Sequence, residues 1–423
     1  MPAQQNANTV ALQLEKVRDK VPLLYERDDM LFTMIQAKTD VEKVSSRLMR
    51  LPLQMSPGGK AGGYNPDGGD LGLGGGTDYE VATVTPQFFK FAVQTTKLVE
   101  YATNSPEKAV ENATKKLVSD SMAQFRTFLD QISNTAGNAV IATVSSITGN
   151  VITASVPFGA ALVAENQTVQ VYDATVTTYR GSANVVAYDP GPNQTITLDS
   201  APAGTIATDV LIYDVIPGGS GANPIGLFGI QYHQSAATTG TWLNLNRATF
   251  APKLTTPNVS GGSSALTPQM VRLALNLQKK ALGIKTQGKP KFFAYMALEQ
   301  SNAWENLGIL ISSIIKEGAG GRANDLDLLF TGNMSMSGVP IKESIHADQT
   351  RIDFLDLSHW GRAVMKDIGF FKNGEGQTMF QVYGASGGLA ASYLFYYDTG
   401  FQIWDDSPRS GAFINLLSRP SGY

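Results

Sequence analysis

Residues 51–97 read LPLQMSPGGKAGGYNPDGGDLGLGGGTDYEVATVTPQFFKFAVQTTK. Leu51–Met55, Tyr79–Val84 and the run from Phe88 to Leu98 carry the apolar, β-branched and aromatic residues of strands. Between the first two, the nineteen positions from Gly58 to Gly76 hold ten glycines. Glycine loses more backbone entropy on ordering than any other residue. Alone, this segment is predicted to be a mobile tip on a long two-stranded arm. Whatever holds it lies outside the loop, and a neighbouring subunit is the expected partner. The expected contact residues are Gly58, Gly59, Lys60, Gly62, Gly63, Tyr64, Leu71, Leu73 and Gly75.

Upstream, residues 8–50 read as helices. Ala11, Leu12, Leu14 and Val17 form one apolar cluster, and Leu31, Phe32, Met34 and Ile35 a second beyond Pro22. These are too few for a core, so the segment is expected to lie against something else as an arm. Downstream, residues 105–136 predict a long helix. Ser105 suits the N-cap and Pro106 the first turn. Val118, Met122, Phe125, Leu129 and Ile132 repeat at helical spacing, and Gly137 suits the C′ position. About 31 residues at ~1.5 Å each give a strut of roughly 46 Å.

From 138 to 216 the pattern becomes β-branched and alternating, with turn signals at Gly149-Asn150 and Pro190-Gly191. The segment holds a single Arg, Arg180, and reads as an inserted small all-β domain. Residues 217–265 read as an irregular connection with apolar beads at Leu227-Phe228, Trp242-Leu243 and Phe250. Residues 266–375 read as mixed α/β: a helix from Thr267-Pro268 to about Leu282, closed by Gly283, then a strand over 291–296 and a helix from Ala297. Strands are expected at 351–355, 378–383, 392–397 and 400–404, those in 376–423 returning to the earlier domains. The fold class expected is α+β.

The chain has 423 residues, which suggests two or three domains. It is 43% hydrophobic and 16% charged, with net charge −3 from 33 basic and 36 acidic residues. A protein that holds nucleic acid by counterion release is usually basic. This composition implies that any DNA is met as by a wall, without sequence-specific binding. There is no cysteine, which excludes disulfides and thiolate chemistry. The N-terminus lacks the apolar core of a signal peptide. No apolar run reaches the ~18–20 residues of a membrane helix. A cytoplasmic origin without membrane contact is expected.

Sites for chemistry are sparse. Gly384-Ala385-Ser386-Gly387-Gly388 fits G-x-S-x-G, but a strand follows it and no His lies downstream of His359, so it reads as a turn. Residues 283–290 nearly fit a phosphate loop. Pro290 replaces the metal-binding hydroxyl, and the helix precedes where it should follow. His233, His346 and His359 lack metal-ligand spacing, and Asp325/Asp327 and Asp405/Asp406 lack a calcium-loop pattern. No catalytic residue, cofactor or metal site is expected, and the chain is read as not an enzyme.

The order of parts resembles the major capsid protein of tailed bacteriophages, the Hong Kong 97-type fold. Local phrases support this: TGTWLNLNRATFAP (239–252), FTGNMSMSGVPIKES (330–344) and the β-rich run 180–214 are similar to segments of that family. The resemblance implies an N-arm (1–50), an E-loop (51–97), a peripheral domain with its spine helix (98–137) and an inserted β domain (138–216). A connecting segment (217–265), an axial domain (266–375) and returning strands (376–423) complete it. It implies hexamers and pentamers of this chain in an icosahedral shell around double-stranded DNA. Portal, scaffolding and decoration proteins are further implied partners, and a virion location follows. One branch of the family crosslinks a loop Lys to an Asn of another subunit. Lys60 lies in the corresponding loop, but no partner Asn is identifiable. The short arm implies maturation without cleavage, any scaffold being encoded separately. The alternatives are an encapsulin-like nanocompartment shell, sharing the fold, and a β-rich surface adhesin or binding module. The long helix and the lack of an export signal oppose the last.

Overall fold

The computed structural model describes residues 29–38, 42–43, 48–67, 69–70, 72–97, 113–215, 223–283, 291–307, 335–384 and 387–420. Helix α1 (Met30–Met34) buries Leu31 and Phe32, and Ile35 follows them into the same core. The Ala11–Val17 cluster of the expected arm lies outside the described residues. Strands β1 (Glu42–Lys43), β2 (Met49–Ser56) and β3 (Asp78–Val84) form an antiparallel sheet, with Met49 opposite Val84 and Ser56 opposite Asp78. Strand β4 (Gln87–Thr96) follows.

Helix α2 occupies Ala113–Ile132, the C-terminal part of the span predicted; residues 98–112, with Ser105 and Pro106, lie outside the described residues. Its apolar stripe packs as the spacing requires. Phe125, Leu129 and Ile132 are fully buried, and Val118 and Met122 pack partly against the same core. Phe125 meets Phe91 of β4 at 6.0 Å. The helix ends differently from expectation. Ser133 and Asn134 side chains donate back to the carbonyls of Leu129 (2.7 Å) and Asp130 (3.0 Å), so polar side chains close the last turn. Gly137 serves a different need: its φ is +88°, and a Cβ there would meet the Phe228 ring at 2.7 Å.

Asp130, fully buried near the end of α2, joins distant parts of the chain. Its carboxylate accepts the Phe32 N–H at 2.9 Å and pairs with His346 Nδ1 at 2.7 Å. A buried carboxylate persists only when its oxygens are partnered. The helix end is therefore the point where α1 and the turn at 344–350 are fixed.

Strands β5 (Val140–Thr148), β6 (Val151–Ser155), β7 (Thr168–Tyr172), β8 (Tyr179–Asp189), β9 (Thr195–Leu198) and β10 (Val210–Tyr213) close a barrel in the order β10-β5-β6-β9-β8-β7. Closure removes sheet edges. Ile141, Ile152, Val169, Val171, Ile196 and Leu211 fill the interior. This core runs on into that of α2: Tyr213 meets Phe89 at 6.2 Å and Phe128 at 5.8 Å.

The connection that follows contains α3 (Ile230–His233), β11 (Thr241–Trp242), β12 (Leu245–Asn246) and α4 (Arg247–Leu254). Its irregular backbone is satisfied from within. The Arg247 guanidinium donates to the Leu254 carbonyl at 2.7 Å and the Tyr232 carbonyl at 3.2 Å. Gly229 lies against the end of α2, and a Cβ there would stand 2.2 Å from the Ser133 oxygen. Gly229→Ala is expected to cost roughly 1–3 kcal/mol through overpacking. The denaturant midpoint should fall with the slope unchanged.

Strand β13 (Asn258–Ser264) leads into α5 (Pro268–Leu282), which starts and stops as its sequence predicts. The Thr267 hydroxyl accepts the Met270 N–H, and Gly283 takes the left-handed C-cap with φ +72°. Next come β14 (Phe292–Met296), a helix over 298–307, β15 (Ser335–Met336), β16 (Val339–Glu343) and β17 (Ile352–Asp356). Then come β18 (Trp360–Phe370), β19 (Met379–Tyr383), β20 (Leu389–Asp405) and β21 (Ala412–Leu417). One six-stranded sheet runs β13-β21-β17-β14-β16-β15 and, with α5, encloses its own core of Val271, Leu275, Phe292, Phe354 and Ile414. In a second sheet, β20 pairs with β18, β19 and β4.

Where two strands were predicted at 392–397 and 400–404, β20 is one strand of 17 residues. Asp398-Thr399-Gly400 reads locally as a turn. It stays extended because Asp398 and Gly400 pair with Lys90 and Phe88 on one side and with Gly369 and Lys366 on the other. The missing Cβ of Gly400 leaves room for the Phe88 ring, which would otherwise stand at 2.5 Å. The architecture is α+β with strands predominating.

Candidate inter-subunit surface

The hairpin of β2 and β3 has a buried root and an exposed tip. Met49, Leu51, Leu53 and Met55 alternate to one face, as a strand requires. They pack with Ala82, Val84, Trp242, Leu245, Leu254 and Trp404. Pro52, opposite Val81, points to the other face. Further support comes from the 243–244 turn, where the Thr83 N–H donates to the Leu243 carbonyl at 3.0 Å and the Asn244 side-chain oxygen at 2.7 Å. Eight residues of β2 at ~3.3 Å each span roughly 26 Å.

Beyond Ser56 and Asp78 the packing stops. The two arms approach through glycine: a Cβ on Gly58 (φ +71°) would meet the Gly76 carbonyl carbon at 2.7 Å, and the Gly59 N–H donates to the Gly75 oxygen at 2.9 Å. Local turns then hold the chain. The Asn65 side chain accepts the Asp67 N–H at 3.0 Å, and the Asp70 side chain accepts the Gly72 N–H at 2.9 Å. Of the sequence-predicted contact residues, Gly58, Gly59, Lys60, Gly62, Gly63, Tyr64, Leu73 and Gly75 all fall in this tip; Leu71 lies outside the described residues. Tyr64 is 63% exposed and Leu73 88%. A Cβ added at Gly59, Gly62 or Gly63 would meet no atom of the described residues within 4 Å. Over 57–80 the side chains of Asp67, Asp70, Asp78 and Glu80 outnumber the ammonium of Lys60.

Sequence reasoning missed the apolar residues that extend this surface. Tyr79 and Val81 point away from the hairpin root and are exposed, as is Phe88. The alternation Tyr79-x-Val81 was a signal for two opposite faces, but not for which face stays open. Tyr383 and Leu389, paired across the far end of β19 and β20, are also exposed.

The sites considered for chemistry are placed as follows. The Gly384–Gly388 stretch is a turn joining β19 to β20, with the Gly384 N–H donating to the Gly388 oxygen at 2.7 Å; residues 385–386 lie outside the described residues. So do residues 284–290 of the phosphate-loop-like stretch, and Asp325 and Asp327. His233 is fully buried, and burial holds its imidazole down at about 3, so it is neutral. Among the described residues, no group of three or more His, Cys, Asp or Glu side chains is placed to hold a metal ion. Among them, no helix is long and apolar enough to cross a membrane.

No family model matches the sequence. No curated protein matches it either. Solved structures do. The cyanophage A-1(L) capsid subunit overlays with a TM-score of 0.55 at 12% identity, covering 95% of this chain and 96% of that one. The chain has the fold of a phage capsid subunit. A capsid protein of the native GTA particle matches over 97% of this chain and 98% of its own at 9% identity, with a TM-score of 0.47. The capsid of Myoviridae phage XM1 matches over 94% and 95% at 9% identity, with a TM-score of 0.46. In the capsid-subunit fold of this chain, the glycine tip is a projection from the compact body.

Proposed function

We propose that this chain is the major capsid protein of a tailed double-stranded-DNA phage. It associates with copies of itself, as hexamers and pentamers, into an icosahedral shell around the packaged genome. The observation that carries the reading is the hairpin tip, whose Tyr64 and Leu73 stand largely in solvent. A tip of this composition gains from ordering only against another molecule.

In this reading residues 1–50 are the N-arm, 51–97 the E-loop and 98–137 the spine of a peripheral domain. The barrel within 138–216 is an inserted domain, and the axial domain begins at 266, with 376–423 returning to both sheets. Heterologous contacts that close by rotation give rings. The glycine tip lets one sequence meet the different angles of hexamers and pentamers. Near-neutral charge limits repulsion between copies. The role is structural, without catalysis or cofactor. Its setting is the virion after assembly in a host cytoplasm, with portal, scaffolding and decoration proteins as further partners.

Negative-stain electron microscopy of the purified chain, with and without lysate of its native source, tests this. Closed shells, tubes or six-fold rings are expected. A monodisperse monomer under both conditions would remove the reading. Nuclease-protected DNA inside native particles separates a genome container from a cargo compartment.

A further inference from the structure

The start of β18 and the end of β20 meet at a cluster of four titratable side chains, Asp356, His359, Asp405 and Asp406. Asp405 closes β20 opposite Trp360 and is fully buried. One of its carboxylate oxygens accepts the Ser407 N–H at 2.9 Å; the other has no hydrogen-bond partner among the described residues. Next to it, His359 Nδ1 pairs with Asp406 Oδ1 at 2.6 Å. Asp356, also fully buried, accepts the Ser358 N–H at 3.1 Å. Backbone bonds lock the same residues, Asp406 N–H to the His359 oxygen and His359 N–H to the Asp356 oxygen, both at 3.1 Å.

Residues 36–38, the strap that follows α1, are laid on this turn. Lys38 N–H donates to the Arg362 oxygen at 3.2 Å, and Arg362 N–H to the Gln36 oxygen at 3.0 Å. The Lys38 ammonium donates to the Ser358 carbonyl at 2.7 Å and stands 5.4 Å over the Trp404 ring. Gly361 sits between, where a Cβ would meet the Trp404 ring at 2.6 Å and the Lys38 side chain at 3.2 Å. The strap is therefore positioned by the shape of the 356–361 turn.

Three carboxylates around one imidazole, with two of them shut away from water, cannot all carry charge without strong repulsion. We propose that this cluster is a proton-operated latch: with Asp405 protonated and His359 charged it holds the 356–361 turn and the strap of residues 36–38, and loss of those protons loosens the strap. The supporting electrostatics agree in direction. Burial, with repulsion from Asp406 and Asp356 and against attraction from His359, pushes Asp405 up to about 8. The hydrogen bond that His359 donates to Asp406 raises His359 above its ordinary value against the opposing effect of burial, with the charges of Asp406, Asp405 and Asp356 adding to the rise.

Both groups hold their protons more tightly in the folded chain than in the unfolded one, so stability at the latch falls as pH rises. For Asp405 the fall runs from the ordinary carboxylate value of about 4 to about 8. For His359 the stabilisation is complete below its ordinary value of ~6.5 and is lost through its raised folded value. The latch is tightest in acid, loosens progressively as pH rises from about 4 towards about 8, and is loosest in mild alkali.

The test is amide hydrogen exchange on the full chain at pH 6 and pH 9, corrected for intrinsic rates. Protection at Lys38 and Arg362 is expected to fall about tenfold or more, with Phe354 in the other core steady. Asp405→Asn, which keeps the acceptor for Ser407 and has no proton to lose, should hold the loss to about twofold. His359→Gln, at a partly exposed position, removes only the imidazole's share, so the loss should shrink slightly and remain mostly with Asp405. A flat wild-type profile, a parallel loss at Phe354, or an Asp405→Asn variant that follows the wild type would each overturn the latch. The measurement needs no shell, so its outcome is independent of the capsid reading.

Discussion

Deleting Gly58–Gly76 abolishes closed shells and leaves the subunit folded. The root of the hairpin loses nothing in this change, because Met49, Leu51, Leu53, Met55, Ala82 and Val84 keep their places in the core with Trp242 and Trp404. The ends left behind are already close. Ser56 stands opposite Asp78, and Gly58 and Gly76 approach within glycine-only distance, so Pro57 and Thr77 can close a short turn. The described residues of the deleted segment are mostly exposed, Tyr64 and Leu73 among them, and loop length enters stability only logarithmically. The unfolding free energy should therefore change by about 1 kcal/mol or less. Assembly is another matter. The tip supplies Tyr64 and Leu73, large apolar side chains that are mostly exposed. Aromatic anchors of this kind dominate association energies. Microscopy should show soluble monomers or rings, while circular dichroism and thermal unfolding match the full chain. Normal shells from the deletion would sink the proposed role of the tip.

Replacing Arg351 by Ala is expected to destabilise the subunit by about 3–5 kcal/mol, the cost of breaking a buried ion pair from one side. The guanidinium grips Asp353 through Nε at 2.8 and 3.0 Å and through a second nitrogen at 2.6 Å. It also donates to the Gln234 carbonyl at 2.6 Å and lies 4.0 Å over the Phe413 ring. Removing it leaves a buried carboxylate and a buried carbonyl unpaired beside an aromatic ring without its cation. Burial pushes the Asp353 carboxyl up and Arg351 opposes it, so the variant should shed the charge by protonating Asp353. The double variant Arg351→Met/Asp353→Leu removes both charges and should recover most of the loss. Urea midpoints of the two singles and the double measure the coupling. A single-variant loss below about 1 kcal/mol would mean the pair is effectively solvated.

How much of this was legible beforehand depends on the range of the physics involved. Helix α5 was readable from end to end, because an N-cap threonine, a proline in the first turn and a left-handed glycine act within a few residues. The apolar stripe of α2 was readable for the same reason, its side chains repeating on one helical face. The glycine tip was readable because the entropy of glycine is a property of the chain alone. The residues expected to make contacts fall in the exposed tip, except Leu71, which lies outside the described residues.

Long-range pairing was not readable. Asp398-Thr399-Gly400 carries local turn signals, and only the strands on both sides hold it extended. Gly137 carries a helix-stop signal, yet its room is taken by Phe228, 91 positions away. Asp130 and His346 are separated by 216 residues, and His359 and Asp406 by 47. Each looks like an ordinary surface residue in the sequence; the fold buries Asp130 and His346 completely and brings His359 and Asp406 together at a partly exposed turn. Periodicity, caps and glycine content follow from local sterics and entropy, so the sequence by itself determined the helix over Ala113–Ile132, the hairpin and its exposed tip. Which polar groups lose their water, and which partner must then satisfy them, depends on what the chain packs around them. The Asp130–His346 link, the Arg351–Asp353 pair and the carboxylate cluster at Asp405 were therefore decided by the tertiary structure alone.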